Sequence, residues 1–335
     1  MSKARGLADL GNAYDDGALS NRNLIINGAM QVAQRGISVT GVNSSNYYTV
    51  DRTKITTGGS PSYAFTVSQS STAPEGFSNS LKLECTTADA SLAADDLMRL
   101  DHYIEAQNLQ QLAYGTASAK TLTLSFWVRA SKTGDYRIWF FQNDSTRSNA
   151  GYYTISSANT WEYKTVEIAG DVSGVINNDN DRGLLLSFAV LAGTNYTSGT
   201  LPTAWQANVT ANRFVGQSVN LADTVGNDFY ITGVQLEVGD TATPFEHRSY
   251  GQELALCQRF YETGRYYVQA TSVSGSLGTT ATFKLSKRAA PTVTFSNLTG
   301  VIGGIASTGL DSVRSYGSVG ASSQVQYDWT ADAEL

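Results

Sequence analysis

An all-β protein is predicted, a jelly-roll β-sandwich followed by a smaller C-terminal β domain, and three observations predict it. Short runs rich in β-branched and aromatic residues recur along the chain. The stretches between them are built of Gly, Ser, Thr, Asn and Asp, which is turn chemistry. No amphipathic pattern persists beyond about three helical turns. Many short strands separated by turns make a sandwich or a jelly roll, and 335 residues is length for about two domains.

Residues 1–22 stand apart. Ser2 to Leu10 holds one or two helical turns, broken at Gly6 and stopped at Gly11, and a loop follows. This segment reads as an anchor that orders on a partner, with Leu7 and Leu10 as its apolar contacts. Residues 23–248 form the first β domain. Its clearest strands are 121–130, 136–141, 161–168 and 229–238, and the third alternates almost strictly between wet and dry faces. Lys132 to Asp135 is a hairpin-sized link, which predicts that 121–130 and 136–141 pair as neighbours. Residues 249–261 form a connector, helical from Tyr250 to Phe260. Residues 262–335 are β-rich again, in 266–269, 280–285 and 292–295. About 75 residues give an independent β domain little core. A closed homotrimer would cover its strand edges, with Val268, Phe283 and Phe295 among the buried positions.

Charge excludes several classes of function. The net charge is −6, so a nucleic-acid footprint and attraction to an anionic membrane surface are both disfavoured. The N-terminal stretch has no apolar h-region, and the longest apolar run, Leu184 to Ala192, is too short to span a bilayer. The expectation is a protein made in a cytoplasm without a signal peptide and without membrane insertion. Cys85 and Cys257 have no metal-ligand spacing and are expected to be thiols.

Nothing in the chain is arranged for catalysis. The two histidines, His102 and His247, have no nucleophile in a recognisable context, and no Gly-x-Ser-x-Gly elbow or zinc motif is present. Asp95 with Asp96, Asp179 with Asp181, and Glu162 with Glu167 are the carboxylate pairs a glycan hydrolase would need, but no family pattern flanks them. The loop from Asn177 to Gly183 is rich in side-chain oxygens, and Asp179 and Asp181 are its weak Ca²⁺ candidates. It fails the EF-hand template, because Arg182 stands at the glycine position and Phe188 at the bidentate-Glu position. No metal and no cofactor is expected, and no enzyme.

One surface invites a ligand. On 121–130, Trp127 and Arg129 share a face; on 136–141, Arg137, Trp139 and Phe141 share a face. Pairing of the two strands would merge Trp127, Arg129, Arg137 and Trp139 into one Trp/Arg surface. Sugars bind such surfaces through C–H contact with the rings and charge-assisted hydrogen bonds. The alternative is a packed face with the arginine heads snorkelling to its rim.

Three stretches carry a resemblance. Asn21 to Gly36, continued by Tyr47 to Arg52, resembles the opening of a carbohydrate-binding-module-like jelly roll of tailed-bacteriophage tail-fibre proteins. Thr121 to Ala130 resembles its central strand, and Val234 to Tyr261 its closing strand and connector. The resemblance implies a virion structural protein whose task is attachment to a host-surface glycan. It implies other virion proteins as partners, reached through the N-terminal segment, and no enzyme. A capsid decoration (head fibre) or tail accessory piece with a purely structural role is the alternative, and a polysaccharide depolymerase a lesser one.

Overall fold

The computed structural model describes residues 21–269, 275–299, 301–319 and 324–335. Two compact units divide the chain, one ending at Arg248 and the other running from Ser249 to Leu335. The segment 249–261, expected as a connector, clusters with the second unit. Leu7 and Leu10 lie outside the described residues.

The first unit is a sandwich of two antiparallel sheets. Its early strands are β1 (Ser38–Val42), β2 (Asn46–Tyr47), β3 (Lys54–Gly58), β4 (Ala64–Ser70), β5 (Ser80–Thr87) and β6 (Leu97–Glu105). Then come β7 (Leu122–Ala130), β8 (Gly134–Gln142), β9 (Arg147–Ile155) and β10 (Glu162–Ile168). The unit closes with β11 (Arg182–Ala192), β12 (Gln206–Ala207) and β13 (Asp228–Val238). Sheet 1 has the order β1-β4-β5-β13-β7-β10, and sheet 2 the order β12-β9-β8-β11-β6-β3-β2. The chain keeps crossing from one sheet to the other: β6 lies in sheet 2, β7 in sheet 1, β8 and β9 in sheet 2, β10 in sheet 1. That repeated crossing is the jelly-roll wiring.

Alternation in the sequence builds the core. Leu122, Leu124, Phe126, Val128 and Ala130 of β7 point inward, as do Tyr136, Ile138 and Phe140 of β8. Across the sandwich, Phe126 meets Phe188 with ring centroids 5.1 Å apart, and Tyr136 meets Phe229 at 5.8 Å. β11 is buried along nearly its whole length, which explains why its sequence is a continuous apolar run rather than an alternating one.

This wiring corrects the expected hairpin. β7 pairs with β10 and β13, whereas β8 pairs with β9 and β11. Both hydrogen-bonding edges of each strand are taken, so the short 131–133 link is a corner between sheets. Gly134, with φ +136°, sits at that corner.

Residues of the opening motif stitch the unit shut. The Asn23 side chain accepts from Ile25 N and Leu236 N and donates to Val234 O. A Cβ on Gly28 would stand 2.1 Å from Val234 O, so only glycine fits beside β13 there. Asn27 bridges Val32 and Asp51 through three hydrogen bonds. At the other end Glu246 accepts from Asn21 N and Asn23 N, and Arg248 donates to Asn23 O and Ile25 O. Residues 21 and 22, read as part of the anchor, are therefore fixed to the first unit.

The second unit starts with helix α1 (Tyr250–Gln258), whose Ser249 and Gln252 form a capping box. Strands β14 (Tyr261–Gln269), β15 (Gly275–Thr282), β16 (Thr292–Thr299), β17 (Val301–Thr308), β18 (Ser312–Val319) and β19 (Gln324–Asp332) follow. They make two three-stranded sheets, β14-β19-β16 and β15-β18-β17. The small core holds Phe283, Val293, Val313, Tyr327 and Trp329. Phe295 is half-buried, its ring 4.7 Å from that of Tyr327, while the Val268 side chain lies outside the described residues. Beside this core Lys287 and Glu262 form a fully buried ion pair at 2.5 Å.

Candidate functional site

The four residues read as one Trp/Arg surface fall on two different sheets. Trp127 and Arg129 lie on the outer face of sheet 1, and Arg137 and Trp139 on the outer face of sheet 2. The crossover at Gly134 is the reason.

On sheet 1 the surroundings are aromatic and open. Tyr163 of β10 stands directly opposite Trp127 in the ladder, with ring centroids 5.3 Å apart, and is 45% exposed. In the next row Arg129 faces Tyr230 of β13, its guanidinium carbon 4.7 Å from the ring centre. Arg129 is held in place by Asn159, donating to its backbone and side-chain oxygens at 3.0 and 3.4 Å. Trp161 packs edge-on to Tyr230 at 6.1 Å, and Lys82, paired with Glu84 at 2.5 Å, closes the row on β5. Trp161, Tyr163, Trp127 and Arg129 thus form a ledge of rings and a cation across adjacent strands, with the buried Tyr230 ring packed under Arg129. Trp161, Tyr163 and Tyr230 were not anticipated from the sequence. The strict alternation of 161–168 was the signal for Trp161 and Tyr163, since it assigns Tyr163 to the wet face.

On sheet 2 the arrangement is closed. Trp139 is only 3% exposed. Its indole lies near the guanidiniums of Arg213, at 4.5 Å, and Arg99, at 5.1 Å, and stacks on Phe141 at 5.0 Å. It therefore offers no ring face to a sugar, which corrects its assignment as a stacking residue. Arg137 is half-buried, with its guanidinium 5.1 Å from the ring centre of Tyr152.

The remaining candidates take structural roles. Glu162 and Glu167 are five residues apart on β10 and so point to opposite faces. Burial works to raise the Glu162 carboxyl, but Lys164 and the Ser157 and Ser156 amides outweigh it and hold it below its ordinary value. Asp96 is buried and accepts from Ala93 N, while Asp95 is exposed. Asp179 accepts from Asp181 N in an Asx turn. Among the described residues, no group of three or more His, Cys, Asp or Glu side chains is placed to hold a metal ion. His102 is buried, accepts from Ile26 N at 3.4 Å, and is pushed well below the usual histidine range by burial and by the charge of Arg52. His247 is exposed and packs against the rings of Phe77 and Phe245. Cys85 and Cys257 are buried thiols. No helix among the described residues is long and apolar enough to cross a membrane.

No protein-family model and no curated protein sequence matches the chain. Among solved structures it is similar to the enzymatically active domain of tailspike protein 4 of bacteriophage CBA120, at 12% identity and a TM-score of 0.32. That match covers 65% of this chain and 22% of the other. It is also similar to the C-terminal family 22 carbohydrate-binding module of Clostridium thermocellum Xyn10B, at 12% identity and a TM-score of 0.31, covering 62% and 98% of the two chains. A third is the family 11 carbohydrate-binding module from Clostridium thermocellum in complex with a β-1,3-1,4-mixed-linked tetrasaccharide, at 13% identity and a TM-score of 0.29, covering 63% and 99%. At such scores the likeness adds nothing to what the strand order already shows.

Proposed function

We propose that this chain is a non-catalytic, glycan-binding structural protein of a virus particle that attaches the particle to a host-surface saccharide. The observation that carries the proposal is the sheet-1 ledge, where Trp127 and Tyr163 present adjacent rings and Arg129 is fixed beside them by Asn159. Pyranose rings lay their C–H faces on such aromatics, and an anchored guanidinium donates to ring hydroxyls without losing side-chain freedom at the moment of binding. The resemblance of the opening, central and closing stretches to tail-fibre proteins supports a place on the virion.

Single sugar contacts are weak, so the proposal includes a homotrimer, whose linked ledges raise avidity by orders of magnitude. The segment before residue 21 is proposed to bind other virion proteins. A glycan array probed with the full chain tests the reading. Wild type is expected to select a set of saccharides and Trp127→Ala to lose them with its melting temperature unchanged. Release of reducing ends from host polysaccharide would overturn the non-catalytic part.

A further inference from the structure

Sheet 2 carries a second feature that the ledge does not use. Arg99 and Arg213 lie over the buried indole of Trp139, Arg137 shares that face of β8 two residues away, and Asp101 is the carboxylate paired with Arg99. Asp101 is committed elsewhere: it pairs with Arg99 at 3.3 Å and accepts from Ser187 at 2.6 Å and Thr56 at 2.7 Å. Neither Arg137 nor Arg213 makes a side-chain hydrogen bond or an ion pair among the described residues, and the Nε of each is buried without a partner. Both are half-buried. Burial and the neighbouring charge of Arg99 lower the Arg213 pKa, and the opposing pull of Tyr196 and Asp101 does not make up for them.

The chain accommodates this arrangement. Gly216 has φ +86°, and a Cβ there would stand 2.0 Å from Arg137 Nη2. A glycine is thus required for the turn that bears Arg213 to lie against the Arg137 guanidinium. Holding two half-buried cations without a direct ion pair costs stability, which their stacking on Trp139 and Tyr152 offsets only in part. In a chain of net charge −6 the local surplus is also out of character.

We infer that the outer face of sheet 2 binds the acidic group of an anionic saccharide between Arg137 and Arg213. Guanidinium forks suit the paired oxygens of a carboxylate or of a sulfate or phosphate ester. Tyr152, 61% exposed beside Arg137, offers the sugar ring a face. The saccharide half of this inference rests on the glycan-binding reading; the anion half does not.

Titration calorimetry on the full chain tests it with four probes: oligogalacturonate, a sulfated dextran oligosaccharide, a neutral dextran oligosaccharide and inorganic phosphate. Wild type should bind one or both charged oligosaccharides, more weakly as salt is raised, and prefer them to the neutral one. Arg137→Gln with Arg213→Gln should weaken that binding by about ten- to a hundredfold, and Arg213→Lys by less. The melting temperature of the double variant should hold or rise, because uncompensated cations have been removed. Undiminished binding by the double variant, or equal affinity for neutral and charged oligosaccharides, would overturn the inference and leave the ledge reading standing. A fall in melting temperature with binding retained would show a purely structural role. Phosphate binding as tightly as the oligosaccharides would reduce the site to a plain anion site and overturn the saccharide half. No binding to any saccharide would end the glycan-binding reading and the saccharide half of the inference, and no binding to phosphate either would end its anion half.

Discussion

Trp127 and Tyr163 face each other across the β7–β10 ladder with ring centroids 5.3 Å apart. Their inward neighbours, Phe126 and Val128, are fully buried, so the pair decorates the core without belonging to it. Tyr163→Ala is therefore expected to change stability by no more than about 1 kcal/mol, the worth of one cross-strand aromatic pair. Its effect should appear in ligand binding. Chemical denaturation alongside the glycan array separates the two, and a large stability loss would show that the ring is structural.

Asp171, in the loop after β10, ties that loop to β9. It accepts from Arg147 Nε at 2.6 Å and Nη2 at 3.2 Å, from Gln142, and from Ser173 N. Burial works to raise its carboxyl, yet Arg147 and the Ser173 and Gly174 amides prevail and hold it below its ordinary value. A depressed folded-state pKa gives stability that is present above the unfolded-state value near ~4 and lost as pH falls through the folded one. Asp171→Asn should cost about 2–3 kcal/mol at pH 7 and flatten the loss of stability between neutral and acid pH. Urea midpoints of both proteins at the two ends of that range decide it.

In the second unit, Lys287 Nζ reaches Glu262 at 2.5 Å and the carbonyls of Gln258 and Leu285 at 2.6 and 3.0 Å. Both side chains are fully buried. Lys287→Met leaves an uncompensated carboxylate and should cost about 3–5 kcal/mol, whereas adding Glu262→Leu should recover much of it. A double-mutant cycle reads the coupling directly. Additive losses would mean that the pair is not one unit.

Gly233 interrupts β13 with φ +62°, where the β7 register shifts between Thr232 and Gln235. A Cβ there would meet the Phe77 ring at 2.7 Å. Gly233→Ala combines backbone strain with a clash and should cost about 1–3 kcal/mol. Thermal melts measure the cost. A silent substitution would mean that the bulge relaxes freely.

Oligomeric state is tested by light scattering across micromolar concentrations. Three chain masses are expected, and a single chain mass overturns the trimer. A trimer that survives deletion of residues 262–335 would place the association on the first unit.

The strands themselves were legible, because alternation at 122–130 and 161–168 states which side chains face a core. The crossing of sheets was not. A three-residue link between two good strands reads as a hairpin, and only the competition of β10, β13, β9 and β11 for their edges reverses it. Half of the candidate site survived that reversal. Trp127 and Arg129 kept their face since parity along one strand is local information. Their union with Arg137 and Trp139 failed since pairing is not. Arg213 and Arg99 were invisible as partners of Trp139, because 74 and 40 positions of chain separate them from it.

The clasp between residues 21–25 and 246–248 has a mechanical consequence. Asn23, Glu246 and Arg248 bring the two ends of the first unit together, so tension entering at residue 21 and leaving at residue 248 runs through those few hydrogen bonds. While those bonds hold, a pull along the chain is borne at the clasp and its neighbour β13 rather than along β7 and β10, which carry the ledge of Trp127 and Tyr163.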